Sequence, residues 1–176
     1  MGLFDKRVKI DARLMTKVIY ELLDERCHDI FQLFSAGDYD DDFHAYNLMF
    51  YSHAINFYLI GNILSHGNSS NKTALTMSTA LDLLCLDLSK TIGIKDSTRF
   101  KTDFSNALVE LGNLCSTPSA ANLDNSFSRL SKFLLGKIYL DGRYTYDAFC
   151  VLELSEIISG WISDSMFLVE KYKLIK

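Results

Sequence analysis

Between Asp42 and Lys72 the chain carries no Lys, Arg, Asp or Glu. A long uncharged run rich in Phe, Tyr, Ile and Leu has three destinations: a membrane, a protein core or an interface. The segment just before it, "GDYDDD" (Gly37–Asp42), crowds four aspartates into six residues. Three of the four histidines, His44, His53 and His66, follow within the same window.

The membrane is the weakest of the three. Phe43 to Leu64 is 22 residues without a formal charge, long enough to span. Yet His44, Asn47, His53, Asn56 and Asn62 lie inside it, and such groups are expensive in hydrocarbon. No Lys or Arg flanks the run to anchor it. Metal chemistry fits no better. Asp38, Asp40 and Asp42 have the alternation of a calcium loop. An EF-hand also needs Gly at its sixth position and Glu at its twelfth. Counted from Asp38 those positions are Phe43 and Met49; counted from Asp40 they are Ala45 and Tyr51. His44 and His53 are nine residues apart, about 900° of helix, and so point to opposite sides. His44 and His66 are about 33 Å apart along a helix axis. A His28 pairing with the aspartates across the connection is conceivable, but a solvated histidine is the commoner role.

Burial in protein remains. A helix apolar nearly all round is central in a bundle or shared with another chain, and centrality is the default expectation. The aspartates then read as caps at the start of this helix, complementing its positive end. They also form an acidic lip beside tyrosines, and tyrosine is favoured at interfaces.

The rest of the chain reads as helix. One proline in 176 residues suits long helices joined by short connections. The 3.6-residue period predicts six helices: 11–34, 41–65, 72–92, 97–115, 123–140 and 146–170. In the first, Leu14, Met15, Val18, Leu22, Cys27, Ile30 and Phe34 are expected inward, with Lys17, Glu21, Asp24, Glu25 and Arg26 in water. Leu75, Leu81, Leu84 and Leu88 are expected inward in the third. Phe100, Phe104, Ala107, Leu108 and Leu111 take that role in the fourth. In the sixth it falls to Phe149, Leu152, Ile157, Trp161 and Ile162. "KDST" is expected to cap the fourth helix and Thr145 the sixth. No run alternates over five or more residues between turn signals, so no sheet is expected. The chain therefore reads as all-α: one domain, residues 1–176, a bundle of about six antiparallel helices.

The four cysteines have long irregular spacings and apolar neighbours, as in "LLCLDL" and "AFCVLEL". They read as buried free thiols rather than zinc ligands or disulfides. "MGLFDKRVKIDARL" has no apolar core of a signal peptide, so a cytoplasmic location is expected. The net charge of −4 and scattered basic residues argue against nucleic acid as a partner. No G-x-S-x-G, P-loop or G-x-G-x-x-G occurs, and the acidic pairs Asp82/Asp87, Glu153/Glu156 and Asp141/Asp147 read as solvated faces. Arg143, Tyr144, Tyr146 and Asp147 in "GRYTYDAF" read as a helix start or a contact surface. These residues suggest no known family.

The functional expectation is a non-catalytic protein-binding module without cofactor or metal: a small acidic inhibitor or immunity-type protein, or an adaptor, with a basic protein partner. Asp38, Tyr39, Asp40, Asp41, Asp42 and His44 are the candidate partner-binding residues. Four carboxylates focus a negative potential that speeds encounter with a basic surface. One alternative is a ligand-binding protein or hydrolase with a pocket around His53, Asn56 and Asn47. Another is self-association through the second or sixth helix.

Overall fold

The computed structural model describes residues 7–35, 43–91, 96–116, 126–142, 144–145 and 147–175. Six long helices dominate: α1 (Ala12–Ser35), α2 (Ala45–Gly67), α3 (Ser70–Thr91), α4 (Ser97–Ser116), α5 (Ser126–Ile138) and α6 (Ala148–Ser165). A short α7 (Phe167–Lys171) follows a break at Met166, where a single helix over 146–170 was expected. The ends are set locally. Asp11 Oδ1 accepts from the Leu14 N–H at 2.8 Å, and Asp96 Oδ1 from the Arg99 N–H at 2.9 Å. Asp147, not Thr145, caps α6, accepting from the Phe149 and Cys150 N–H groups at 2.9 and 3.1 Å. Gly142, at φ 69°, turns the chain before it, in a region open to glycine and costly for other residues.

α2 is the axle. It packs against α1, α3, α4, α5, α6 and α7. Twelve of its residues are buried, including Leu48, Phe50, His53, Asn56 and Ile60. Its uncharged sequence follows from this position, because almost every face meets another helix. Phe50 sits in an aromatic nest with Phe100 and Phe104, each ring centre 5.4 Å away at a steep angle. One contiguous cluster of buried apolar residues draws from all seven helices.

The expectation of no sheet is corrected by a small one. β1 (Val8–Ile10) pairs in parallel with β2 (Tyr172–Leu174), Val8 opposite Tyr172 and Ile10 opposite Leu174. The C-cap of α2 and the start of α3 hold this clasp: Asn68 Oδ1 accepts from the Leu174 N–H at 3.0 Å, and Lys72 Nζ donates to Leu174 O at 3.1 Å. Arg7 donates to Val169 O at 3.2 Å and to Gly67 O at 3.4 Å. Three-residue strands leave no periodic trace, and their pairing joins positions more than 160 residues apart.

Four inward assignments are also corrected. Leu14, Leu75, Leu152 and Phe149 are 52%, 59%, 60% and 75% exposed. α6 is apolar on several sides, so its sequence permits more than one stripe. Packing on α5 and α2 selects Cys150, Leu154, Ile158 and Trp161. The opposite correction is Arg26, expected in water and found buried.

Candidate functional site

Asp38, Tyr39, Asp40, Asp41 and Asp42 lie outside the described residues. His44 is described: it is exposed, occupies the N-cap of α2 and makes no side-chain capping bond. Its N–H donates to Ile138 O at 3.0 Å, so the start of α2 is tied to the end of α5. α2 thus begins at Ala45 rather than at about 41. Of the neighbouring tyrosines, Tyr46 is 43% exposed. Tyr51 is spent in packing, edge-on to Phe50 and Phe133 and beneath Lys137. In "GRYTYDAF", Tyr144 packs edge-on to Tyr139 at 4.7 Å and Asp147 is a helix cap.

His53, Asn56 and Asn47 do not converge on one pocket. Asn47 donates to Lys137 O on α5 at 2.7 Å. Asn56 accepts from Arg26 of α1, and His53 lines a concavity between α1 and α3. Two separate concavities result, one on each side of α1.

The first lies between α1 and α6, which both rest on α2. It is a groove of about 750 Å³ with Leu22, Ile30, Leu33, Ile157 and Trp161 along its floor. Glu25, Asp29 and Asp164, all exposed, stand on its walls. Arg26 is the one cation among its lining residues, and its donors turn inward. The guanidinium donates to Asn56 Oδ1 at 3.2 Å and to Trp161 O at 2.8 Å. Burial lowers the Arg26 pKa from its ordinary value, while Asp164 and Glu25 favour the charge. An arginine stays protonated under such a shift. Three carboxylates against one committed guanidinium leave the groove acidic over an apolar floor.

Sequence reasoning missed Arg26 by assigning charge to the surface. The signal was present. Ile19, Leu23, Arg26 and Ile30 are spaced 4, 3 and 4 apart, the seam of a packed helix, and three of the four are apolar.

The second concavity, about 440 Å³, lies between α1, the first half of α2 and α3. Leu48 and Leu88 are buried in its floor, and Phe31 and Tyr46 stand at its rim, each 43% exposed. Cys27 and His53 meet there, Sγ to Nδ1 at 2.7 Å. The His53 Nδ1–H donates to Met49 O at 2.8 Å. A thiolate–imidazolium pair needs the thiol pushed down and the imidazole held up. Burial does the reverse to both, raising Cys27 and lowering His53. The pair is therefore neutral: a thiol beside an imidazole whose Nε2 carries the free lone pair. Asp24, His28 and Asp87 complete the polar lining; Asp87 accepts from the Tyr20 hydroxyl, and His28 Nε2 lies 2.8 Å from Gln32 Nε2.

Among the described residues no three His, Cys, Asp or Glu side chains gather as a metal site, and no helix is long and apolar enough to cross a membrane. No disulfide joins the four cysteines; Cys27, Cys85 and Cys150 are buried and Cys115 is half-buried. Compared with known proteins, the chain matches no family model, no curated protein and no solved structure. Fold and site define an all-α bundle around one uncharged central helix, with an acidic groove and a separate imidazole-floored pocket flanking α1.

Proposed function

We propose that this chain is a non-catalytic protein-binding module that receives a basic segment of a partner along α1. The observation carrying this reading is the α1/α6 groove. Its carboxylates Glu25, Asp29 and Asp164 frame an apolar floor, and its single arginine is committed to Asn56 and Trp161. A basic amphipathic segment complements both features, its cations meeting the walls and its apolar side chains the floor. In sequence, Asp38, Asp40, Asp41 and Asp42 follow the end of α1, so this stretch of the chain is rich in carboxylates. A small inhibitor or immunity-type protein covering a nuclease's cationic site, or an adaptor with a basic target, fits this arrangement. Four free thiols support a reducing, cytoplasmic setting.

The test is an affinity capture with three proteins: wild type, Asp38/Asp40/Asp41/Asp42→Asn and Gly160→Arg. Gly160 lines the groove, and a Cβ added there has no heavy atom within 4 Å, so the arginine adds charge and bulk from a position with room for its first carbon. A stoichiometric basic partner, weakened by salt and lost from both variants, is the expected result. A partner that both variants retain would refute the reading.

A second reading, self-association, rests on Phe149 and Leu152, 75% and 60% exposed at neighbouring positions of α6. Light scattering on wild type and Phe149→Ser/Leu152→Ser separates the two. A dimer lost in the variant would support self-association.

A further inference from the structure

We propose that the pocket between α1, α2 and α3 binds a small organic amine carrying an aromatic ring, with a hydrogen-bond donor at its far end. The inference is independent of the acidic groove, which lies on another face of α1. The pocket's size of about 440 Å³ falls within the usual range for small-molecule sites, about 300–1,000 Å³.

Each part of the ligand has a counterpart. Among the lining residues there is no Lys or Arg, while Asp24 from α1 and Asp87 from α3 supply carboxylates. Such a mouth attracts a cation and disfavours an anion. The Tyr20 hydroxyl donates to Asp87 and holds that carboxylate against α1. Phe31 and Tyr46 present large, partly exposed rings from α1 and α2. Tyr46 already stacks on Phe50 and Phe31 packs edge-on to Phe43, so a flat ring would lodge against what they leave exposed, and an ammonium nearby gains from the π-density.

The floor supplies the specific contact. His53 is 5% exposed and lines the pocket. Its Nδ1–H is committed to Met49 O, which leaves Nε2 as an acceptor with a defined lone pair. A phenol or N–H at the buried end of the ligand completes it. Cys27 beside it is a soft wall rather than a nucleophile, since burial raises its pKa. The other imidazole lining the pocket, His28 on α1, has its Nε2 against Gln32.

The experiment is an amide-resolved NMR titration of the full chain with three probes sharing one skeleton: tyramine, 4-ethylphenol and 3-(4-hydroxyphenyl)propionate. Tyramine is expected to shift the amides of Cys27, Phe31, Met49, His53 and Leu88 saturably. It should bind about tenfold more tightly than 4-ethylphenol, the ratio that one charge-assisted contact supplies. The propionate should leave those amides unmoved. Asp24→Asn and Phe31→Ala, each checked by circular dichroism to keep the wild-type helix content, should each weaken tyramine about three- to tenfold. Absence of saturable shifts at millimolar tyramine would overturn the proposal. So would shifts confined to the α1/α6 groove, or equal binding of the anion.

Discussion

Arg26→Met tests the energetic reasoning about the groove most directly. The change keeps an unbranched stem as long as arginine's as far as Nε and removes the guanidinium carbon and its two terminal nitrogens. Two acceptors lose a donor, but unequally. Trp161 O also accepts from Ser165 Oγ at 2.7 Å, so it stays satisfied. Asn56 Oδ1 is fully buried and loses its arginine partner. An orphaned buried acceptor costs about 1–3 kcal/mol. The lost charge-assisted bonds add to this, and the desolvation cost of the guanidinium, several kcal/mol, is recovered against it. The net expectation is a destabilisation of about 2 kcal/mol. At about 2–4 °C per kcal/mol for a chain of this size, the midpoint should fall by about 4–8 °C. Urea titration followed by helical circular dichroism is the assay, with an unchanged slope showing that the folded state is otherwise intact. The second variant decides the mechanism. Arg26→Met/Asn56→Leu removes the orphan as well and should be more stable than Arg26→Met alone by about 1 kcal/mol. If the two changes simply add, or if Arg26→Met matches wild type, the orphaned acceptor is not the controlling cost. The same substitution removes the one cation lining the groove, so a basic partner should bind Arg26→Met at least as tightly as wild type.

Three further outcomes follow from particular contacts. A methyl group at Gly67 would lie 2.6 Å from Val169 Cγ1. Gly67→Ala should therefore cost about 1–3 kcal/mol in chemical denaturation, and Val169→Ala in the same chain should relieve the clash. Asp147→Ala removes the two capping bonds at the start of α6 and should cost about 1 kcal/mol, read as a drop in melting temperature. His53 is held below its ordinary range by burial. The unfolded chain therefore takes up the proton first, at about pH 6.5. Protonation favours unfolding, so this contribution is complete above that pH and is lost as pH falls from there toward the folded value. Urea midpoints at pH 7.5 and 5.5 should differ more for wild type than for His53→Gln.

Much of the architecture was legible because it is written in short-range periodicity. The uncharged run from Phe43 to Asn71 implied a helix with no solvent face, and α2 occupies that place, touching six other helices. Long amphipathic segments and a single proline implied the other helices, whose ends differ from expectation by a few residues at the caps. The site was less legible, for a reason visible at Arg26. Residue type argued for water while spacing argued for the core. Only the nearness of Asn56 and Trp161, 30 and 135 positions away, makes burial of the charge tolerable. Phe149 and Leu152 show the converse: apolar type, helical spacing, and no helix among the described residues to cover them.

By itself, then, the sequence determined local conformation and the identity of the central helix, because hydrogen-bonded turns and helical period act over a few residues. The tertiary structure alone decided which apolar stripe of α6 faces inward and that residues 8–10 and 172–174 form a clasp. It also decided that His53 meets Cys27 on one side of α1 while Arg26 reaches Trp161 on another. Those outcomes depend on groups far apart in the chain, whose encounter is set by how helices stack around α2 rather than by any pattern within one of them.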